Sequence, residues 1–262
     1  MTSKTEPRLL CYDLGEGVTA FSTTRHGGVS EANYASFNIN PYCGDSADHV
    51  ARNRQLLADR LGLPASHIVL PHQVHGIEHR AVAPELLDMS DAVRDKILDG
   101  VDMVTTSMTG VCIGVSTADC IPVLLYDPVA RTTAAIHAGW RGTLQRICQR
   151  AVMAMQLHYG TPPDRLRAVV GPGISLANFE VGQEVYDQFA EAGFDLTETA
   201  EWHTKWHLDL PGINIRELIG CGVAPEHIHQ AGICTFDHAD DYFSARRLGI
   251  DSGRIYTGIL MR

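Results

Sequence analysis

The chain has 262 residues, enough for a substantial core, and its 45% hydrophobic and 20% charged content is ordinary for a soluble globular protein. Lys and Arg total 21 against 31 Asp and Glu, a net charge of -10, which argues against a general nucleic-acid binder because such binders need surplus cations to release counterions. No run approaches the roughly 18 apolar residues of a membrane span, and the opening MTSKTEPRLL lacks the apolar core of a signal peptide, so a cytoplasmic protein without membrane attachment is expected.

In chain order, residues 48–63 read as a helix, with Ser46 or Asp48 as cap and Val50, Leu56, Leu57 and Leu61 on its apolar side. A short strand at 67–70 runs into Pro71-His72-Gln73-Val74-His75-Gly76. Residues 110–117 and 122–126 read as buried strands, being short, apolar and β-branched, and 132–137 as a third. The pattern predicts a helix over 144–159, stopped by Gly160, Pro162 and Pro163. A strand follows at 167–170, and then a helix at 182–192. The polar, aromatic-rich stretch 198–209 has no period and reads as a surface loop, and 253–261 reads as a final strand. No linker, repeat or low-complexity block interrupts this alternation. The expectation is one α/β domain, residues 1–262, with a mixed-sheet core.

Three apolar segments end in polar groups that a core strand would not select: HQVHG (72–76), TADC (117–120) and HAGWRG (137–142). Cys120 and His137 bracket one strand–turn–strand unit that can fold its ends together. A histidine from 72–76 would complete three protein ligands around an open position, the plan of a catalytic zinc site, and Cys/His/His suits zinc or copper. The same residues also allow a Cys120 thiolate nucleophile with His137 as base, or a buried thiol and a hydrogen-bonded core histidine. The seven cysteines are odd in number, scattered and free of any C-x-x-C, which argues against a disulfide scaffold and against a zinc ribbon. Of the remaining histidines, His227 and His229 form an H-x-H read as structural or surface. His203 and His207 lack the glutamate of H-E-x-x-H.

Arg25, Arg141 and Arg246 stand beside glycine- or small-residue turns and are candidates for phosphate recognition, since the guanidinium fork donates two hydrogen bonds. A solvated or salt-bridged arginine is the ordinary alternative for each. The segment around Gly27 and Gly28 is no P-loop, because it lacks G-x-x-x-x-G-K-[ST]. Trp140, Phe179, Phe236 and Phe243 are either core residues or stacking surfaces for a flat base.

Taken in order, FSTTRHGGVSEANYASFNIN (21–40), HQVHG, STADCIPVLLYDP (116–128), AAIHAGWRGT (134–143), GPGIS (171–175), NFEVGQEV (178–185), ICTF (233–236) and YFSARR (242–247) with Gly253-Arg254 downstream resemble the YfiH-like family. That family is named for multicopper-oxidase laccase domains and described as purine nucleoside phosphorylases. The resemblance implies an α/β/β/α sandwich with mixed β-sheets, similar to cysteine-dependent toxin deamidases. It implies one zinc, or copper, on His75, Cys120 and His137, with Arg25, Gln73, Asp119 and Arg141 as polar companions. The chain departs from the family pattern at Gly173, often Cys or Ala in relatives, and at Ala245, often Tyr.

The implied activity is phosphorolysis of adenosine, inosine, guanosine or methylthioadenosine to free base and ribose 1-phosphate, with deamination of adenosine to inosine. Purine nucleosides and phosphate would then be the small-molecule partners. In this scheme Arg25, Gln73 and Arg246 bind substrate, Cys120, Asp119 and Arg141 act in catalysis, and the zinc site serves deamination by activating water. The rival readings are a copper-dependent polyphenol oxidase, a cysteine-type amidase that edits cell-wall precursors, and a ligand sensor without turnover. A single H-x-H and one credible ligand trio are too few for a copper cluster, which ranks phenol oxidation below nucleoside chemistry.

Overall fold

A computed structural model describes residues 6–262. In chain order its strands are β1 (Leu9–Tyr12), β2 (Val18–Thr23), β3 (Ile68–Val69), β4 (Glu78–Ala81), β5 (Val101–Thr106), β6 (Cys112–Thr117), β7 (Ile121–Asp127), β8 (Thr132–Ala138), β9 (Arg167–Val170), β10 (Glu180–Val181), β11 (Ala200–Trp202), β12 (Trp206–Leu208), β13 (Ile228–Gln230) and β14 (Ile255–Met261). The helices are α1 (Ala47–Leu61), α2 (Pro84–Asp88), α3 (Asp91–Ile97), α4 (Trp140–Leu144), α5 (Ile147–Tyr159), α6 (Gln183–Glu191), α7 (Leu210–Gly220) and α8 (Ala245–Leu248).

Two mixed sheets stack at the centre. One has the order β1-β2-β14-β6-β3 and the other β13-β9-β7-β8-β5-β4; a small antiparallel sheet, β10-β12-β11, lies apart. Side-chain alternation along β7 shows how the layers form. Ile121, Val123 and Leu125 point one way, into a core shared with Ile147, Ala151 and Met155 of α5 and Ile213 and Leu218 of α7. Leu124 and Tyr126 point the other way and meet Ile113, Val115 and Ile259 of the five-stranded sheet. The far face of that sheet, with Phe21, Cys112 and Tyr256, is covered by Leu57, Ala58 and Leu61 of α1. The layers are therefore helix, sheet, sheet, helix, the sandwich that the family resemblance implies. Strands covered on both faces must be apolar throughout, which is why β6, β7 and β8 are buried along their whole length.

Most predicted elements appear within a few residues of their expected bounds, and two are corrected. The helix expected over 144–159 is broken, because Arg146 takes a left-handed φ of 61° between α4 and α5. Its guanidinium is held by Glu217 at 2.6 Å and the Ala192 carbonyl at 3.0 Å, and lies over the Phe194 ring, so tertiary contacts override helix propensity. The stretch 198–209, expected as a loop, is a β-hairpin in which Ala200, Glu201 and Trp202 pair with Leu208, His207 and Trp206. It is pinned by a Tyr186–Trp206 stack with centroids 3.7 Å apart; its turn carries no Asn-Gly or Gly signal, so nothing local announced it. Among the described residues no helix is long and apolar enough to cross a membrane.

The sheet–sheet interface sets a stability test. Leu124→Ala removes a side chain that is 0% exposed, and urea unfolding should show a loss of about 2–5 kcal/mol. Leu157→Ala, at a residue 80% exposed, should leave the midpoint within roughly 0.5 kcal/mol of the parent.

Candidate active site

The β7–β8 hairpin positions two of the three predicted donors. Its register pairs Ile121 with Ala138 and Pro122 with His137, so Cys120, just before β7, comes beside Gly139, just after β8. On the other side of β8, the pairing of Met103 with Ile136 sets Asp102 of β5 against His137. The imidazole Nδ1 donates to Asp102 Oδ1 at 2.6 Å, which leaves Nε2 for the cavity.

The same carboxylate builds the turn that carries His75. Asp102 accepts from the backbone N–H of Val74 at 3.2 Å, His75 at 3.0 Å and Gly76 at 2.7 Å. His75 itself has a left-handed φ of 62°, a conformation that a non-glycine residue keeps only when its surroundings hold it. Gln73 anchors the turn from the other side. Its Nε2 donates to the Ser116 carbonyl at 2.8 Å, and its Oε1 accepts from the Ser116 N–H at 2.8 Å. A side-chain amide thereby imitates a strand neighbour at the end of β6.

The ligand atoms of His75, Cys120 and His137 lie within 4.8 Å of one another. A Cβ added at Gly139 would stand 2.9 Å from the His75 ring and 3.1 Å from the Cys120 sulfur, so the trio closes over bare backbone. Burial alone would push the Cys120 thiol up, but His137 and His75 override it and hold the thiol below its usual range. Burial would lower His137, yet the Cys120 sulfur and the Asp102 carboxylate raise it. Asp102 is likewise buried, which would raise it, but the hydrogen bond from His137 and the backbone N–H groups keep it low. A thiolate and two imidazoles with one oriented by a carboxylate suit a borderline-soft metal ion, with the imidazolium proton released on binding.

The trio forms one wall of a cavity of about 520 Å³. Ala118, Ile174, Phe179 and Ala245 give it an apolar side, while Asn40, Gln73, Ser116, Arg246 and Arg254 supply polar groups. Asp119 also borders it, at a φ of 85°. Both its oxygens are engaged, Oδ1 by the Thr235 hydroxyl at 2.7 Å and Oδ2 by the Arg246 N–H at 2.6 Å. The Arg246 guanidinium reaches the Glu180 carbonyl at 3.2 Å and lies over the Phe179 ring.

Two predicted residues are placed elsewhere. Arg25 donates to the carbonyls of Ala35 at 2.9 Å and Ala239 at 2.6 Å and lies over Phe243, joining loops instead of facing the cavity. Arg141 is exposed and stacks on Trp140, outside the cavity lining. Arg254 is a second arginine of the lining, its guanidinium donating to the carbonyls of Ile250, Ser252 and Gly253.

Residues 19–262 match the family model described as multi-copper polyphenol oxidoreductase laccase. The chain belongs to this family. Family relatives include a purine nucleoside phosphorylase of Bacteroides thetaiotaomicron, 44% identical over 93% of this chain and 92% of its own. Another, from an unknown prokaryotic organism, is adenosine deaminase RL5, 40% identical over 93% of this chain and 94% of its own. The fold superposes on YlmD from Geobacillus stearothermophilus with a TM-score of 0.88 at 30% identity, covering 96% of this chain and 94% of that one. The hypothetical protein YfiH of Bacillus licheniformis gives the same TM-score of 0.88 at 28% identity, over 94% and 93% of the two chains.

Two features of this family member escaped sequence reasoning. Asp102 is the one carboxylate of a strand, Val101–Thr106, that is buried throughout. A charge in that setting requires partners, so the signal existed. Arg254 belongs to the Gly253-Arg254 pair that helps carry the family resemblance, but no local signal assigned its side chain to the cavity. At Gly173, where the chain departs from the family pattern, a Cβ would sit 3.0 Å from the Asp119 carbonyl, so the glycine permits close approach of the two loops.

Asp102 and Gly139 yield a paired test. Asp102→Asn should weaken zinc or cobalt binding by about 10–100-fold in a chelator competition. Gly139→Ala, whose φ of -69° any residue adopts, should also reduce affinity while leaving the thermal unfolding midpoint near the parent value. Unchanged affinity in both variants would contradict the placement of the centre.

Proposed function

We propose that this chain is a zinc-dependent purine nucleoside phosphorylase that also deaminates adenosine, acting as one catalytic unit in the cytoplasm. The observation that carries the reading is a single cavity with an apolar slot on one side and a three-donor metal site on the other. Its volume of about 520 Å³ falls in the ~300–1,000 Å³ range of small-molecule sites. The names of the family relatives, phosphorylase and adenosine deaminase, support the same chemistry.

His75, Cys120 and His137 would hold the ion, and zinc there would supply Lewis acidity toward water. The chain's own groups do the rest. Asp102 fixes the tautomer of His137 and Gln73 holds the turn against β6. The slot formed by Phe179 and Ile174 receives the flat base. Arg246 is the cation we assign to phosphate, for charge-assisted hydrogen bonds that keep the anion near C1′. Asp119, with both oxygens engaged, acts by holding the Arg246 backbone and not as a proton shuttle. Arg25 and Arg141, which lie outside the cavity, are given no contact with substrate.

Among the described residues one group of three clustered metal donors is found, which supports nucleoside chemistry over a multicopper oxidation of phenols. The depressed Cys120 thiol beside His137 favours one second reading, a cysteine-type amidase. Under that reading, thiol alkylation abolishes turnover of an amide substrate in metal-free protein.

Chromatography of products from adenosine, on protein of known metal content, tests the assignment. Adenine should form only with phosphate, inosine should form without it, and Cys120→Ala should lose both metal and deamination. No product from fully zinc-loaded protein would overturn the nucleoside reading.

A further inference from the structure

The HQVHG turn delivers two histidines to the cavity, and only His75 joins the donor trio. His72 is held apart by its own framework. Its backbone N–H donates to the Leu98 carbonyl at 3.0 Å, and its carbonyl accepts from Gly100 at 3.0 Å. Its ring Nδ1 lies 2.6 Å from Asp99 Oδ1, and the ring stacks on Tyr42 with centroids 4.2 Å apart and planes 28° from parallel. Asp99 therefore fixes Nδ1 as a donor. Nε2 has no partner among the described residues, and His72, with a side chain 39% exposed, lines the cavity together with Tyr42.

Phosphorolysis calls for a proton donor in the cavity. When the C1′–N9 bond breaks, its electron pair moves into the purine ring, and the base leaves far more readily if a proton arrives at N7 as the charge develops. The carboxylate bordering the cavity, Asp119, has both oxygens accepting hydrogen bonds. The trio's imidazoles and thiolate are committed to the ion. Cys43 and Tyr42 also line the cavity, but burial raises the thiol and the phenol above their usual ranges. That leaves His72, an imidazole and so a side-chain type suited to proton exchange near neutral pH.

We infer that His72, oriented by Asp99 and Tyr42, is the general acid of phosphorolysis and donates its Nε2 proton to purine N7. The inference rests on the nucleoside reading above. In the step, a phosphate oxygen forms a bond to C1′, the C1′–N9 bond breaks, and its electron pair enters the purine. The Nε2 proton moves to N7. His72 is left neutral, its remaining proton on the Nδ1 bond to Asp99, and Nε2 is reprotonated from solvent. One cavity thus serves two reactions with two separate devices. The donor trio would serve deamination through its metal, and the His72–Asp99 pair serves phosphorolysis on the imidazole side of the purine.

The test compares inosine with 7-methylinosine, whose purine already carries a positive charge at N7 and needs no proton to leave. His72→Asn keeps a donor for Asp99 and removes Nε2. With full metal content verified, it should lower kcat for inosine phosphorolysis by about 10²–10⁴-fold and leave 7-methylinosine close to the parent rate. Asp99→Asn should show the same selectivity with a smaller loss. Equal slowing on both nucleosides, in a parent active on both, would overturn the role of His72 alone. A parent that cleaves neither nucleoside would instead remove the nucleoside reading.

Discussion

A carboxylate with no access to water must satisfy its oxygens from within the protein, and Asp102 does so with the His137 ring and three consecutive backbone N–H groups. Those four donors come from two segments distant in sequence, the end of β8 and the 72–76 turn. The cost of leaving such a charge unpaired, of order several kcal/mol, holds the turn in place together with the Gln73 and His72 anchors, and the left-handed backbone of His75 is tolerated within it. The spacing of the three metal donors follows from that requirement, since two of them hang from groups bonded to Asp102. Cys120 then needs only the β7–β8 register to complete the set. The central sheet and the chemistry it presents thus share one electrostatic constraint.

How far the sequence discloses this arrangement depends on the kind of signal each part carries. Strands buried on both faces write themselves as continuous apolar runs, so β6, β7, β8 and β14 were legible, and so was the pair Cys120 and His137 at the ends of one hairpin. The order of two sheets between helix layers was not; it came from the family resemblance, because apolar runs do not say which sheet they join. His75 could not be separated from His72 by spacing, since both sit on the same turn, and the structure divides them through different carboxylates, Asp102 for the turn of one and Asp99 for the ring of the other.

The arginines show the opposite limit. Arginine beside glycine is a sound motif for anion recognition, yet Arg25 satisfies backbone carbonyls from two distant loops and Arg141 lies flat on its neighbouring indole. Whether a guanidinium faces a ligand or a carbonyl is decided by chain segments far away in sequence, and no local pattern records it. The same holds for the break at Arg146, which exists because Glu217 and Phe194 are close in space. Asp102 was readable in principle, as a charge placed where only a partner could justify it.

The position of β14 carries a consequence for how the chain reaches this state. In the five-stranded sheet it lies between β2 and β6, although it follows both by more than a hundred residues of sequence. While the chain is being synthesised, β2 and β6 exist without the strand that joins them, and each presents an open edge to any passing polypeptide. The β7–β8 hairpin, whose contacts are local, can form early, whereas the layer beneath it waits for residues 255–261. Chaperone demand and loss to aggregates during expression should therefore concentrate in nascent chains arrested before that strand emerges.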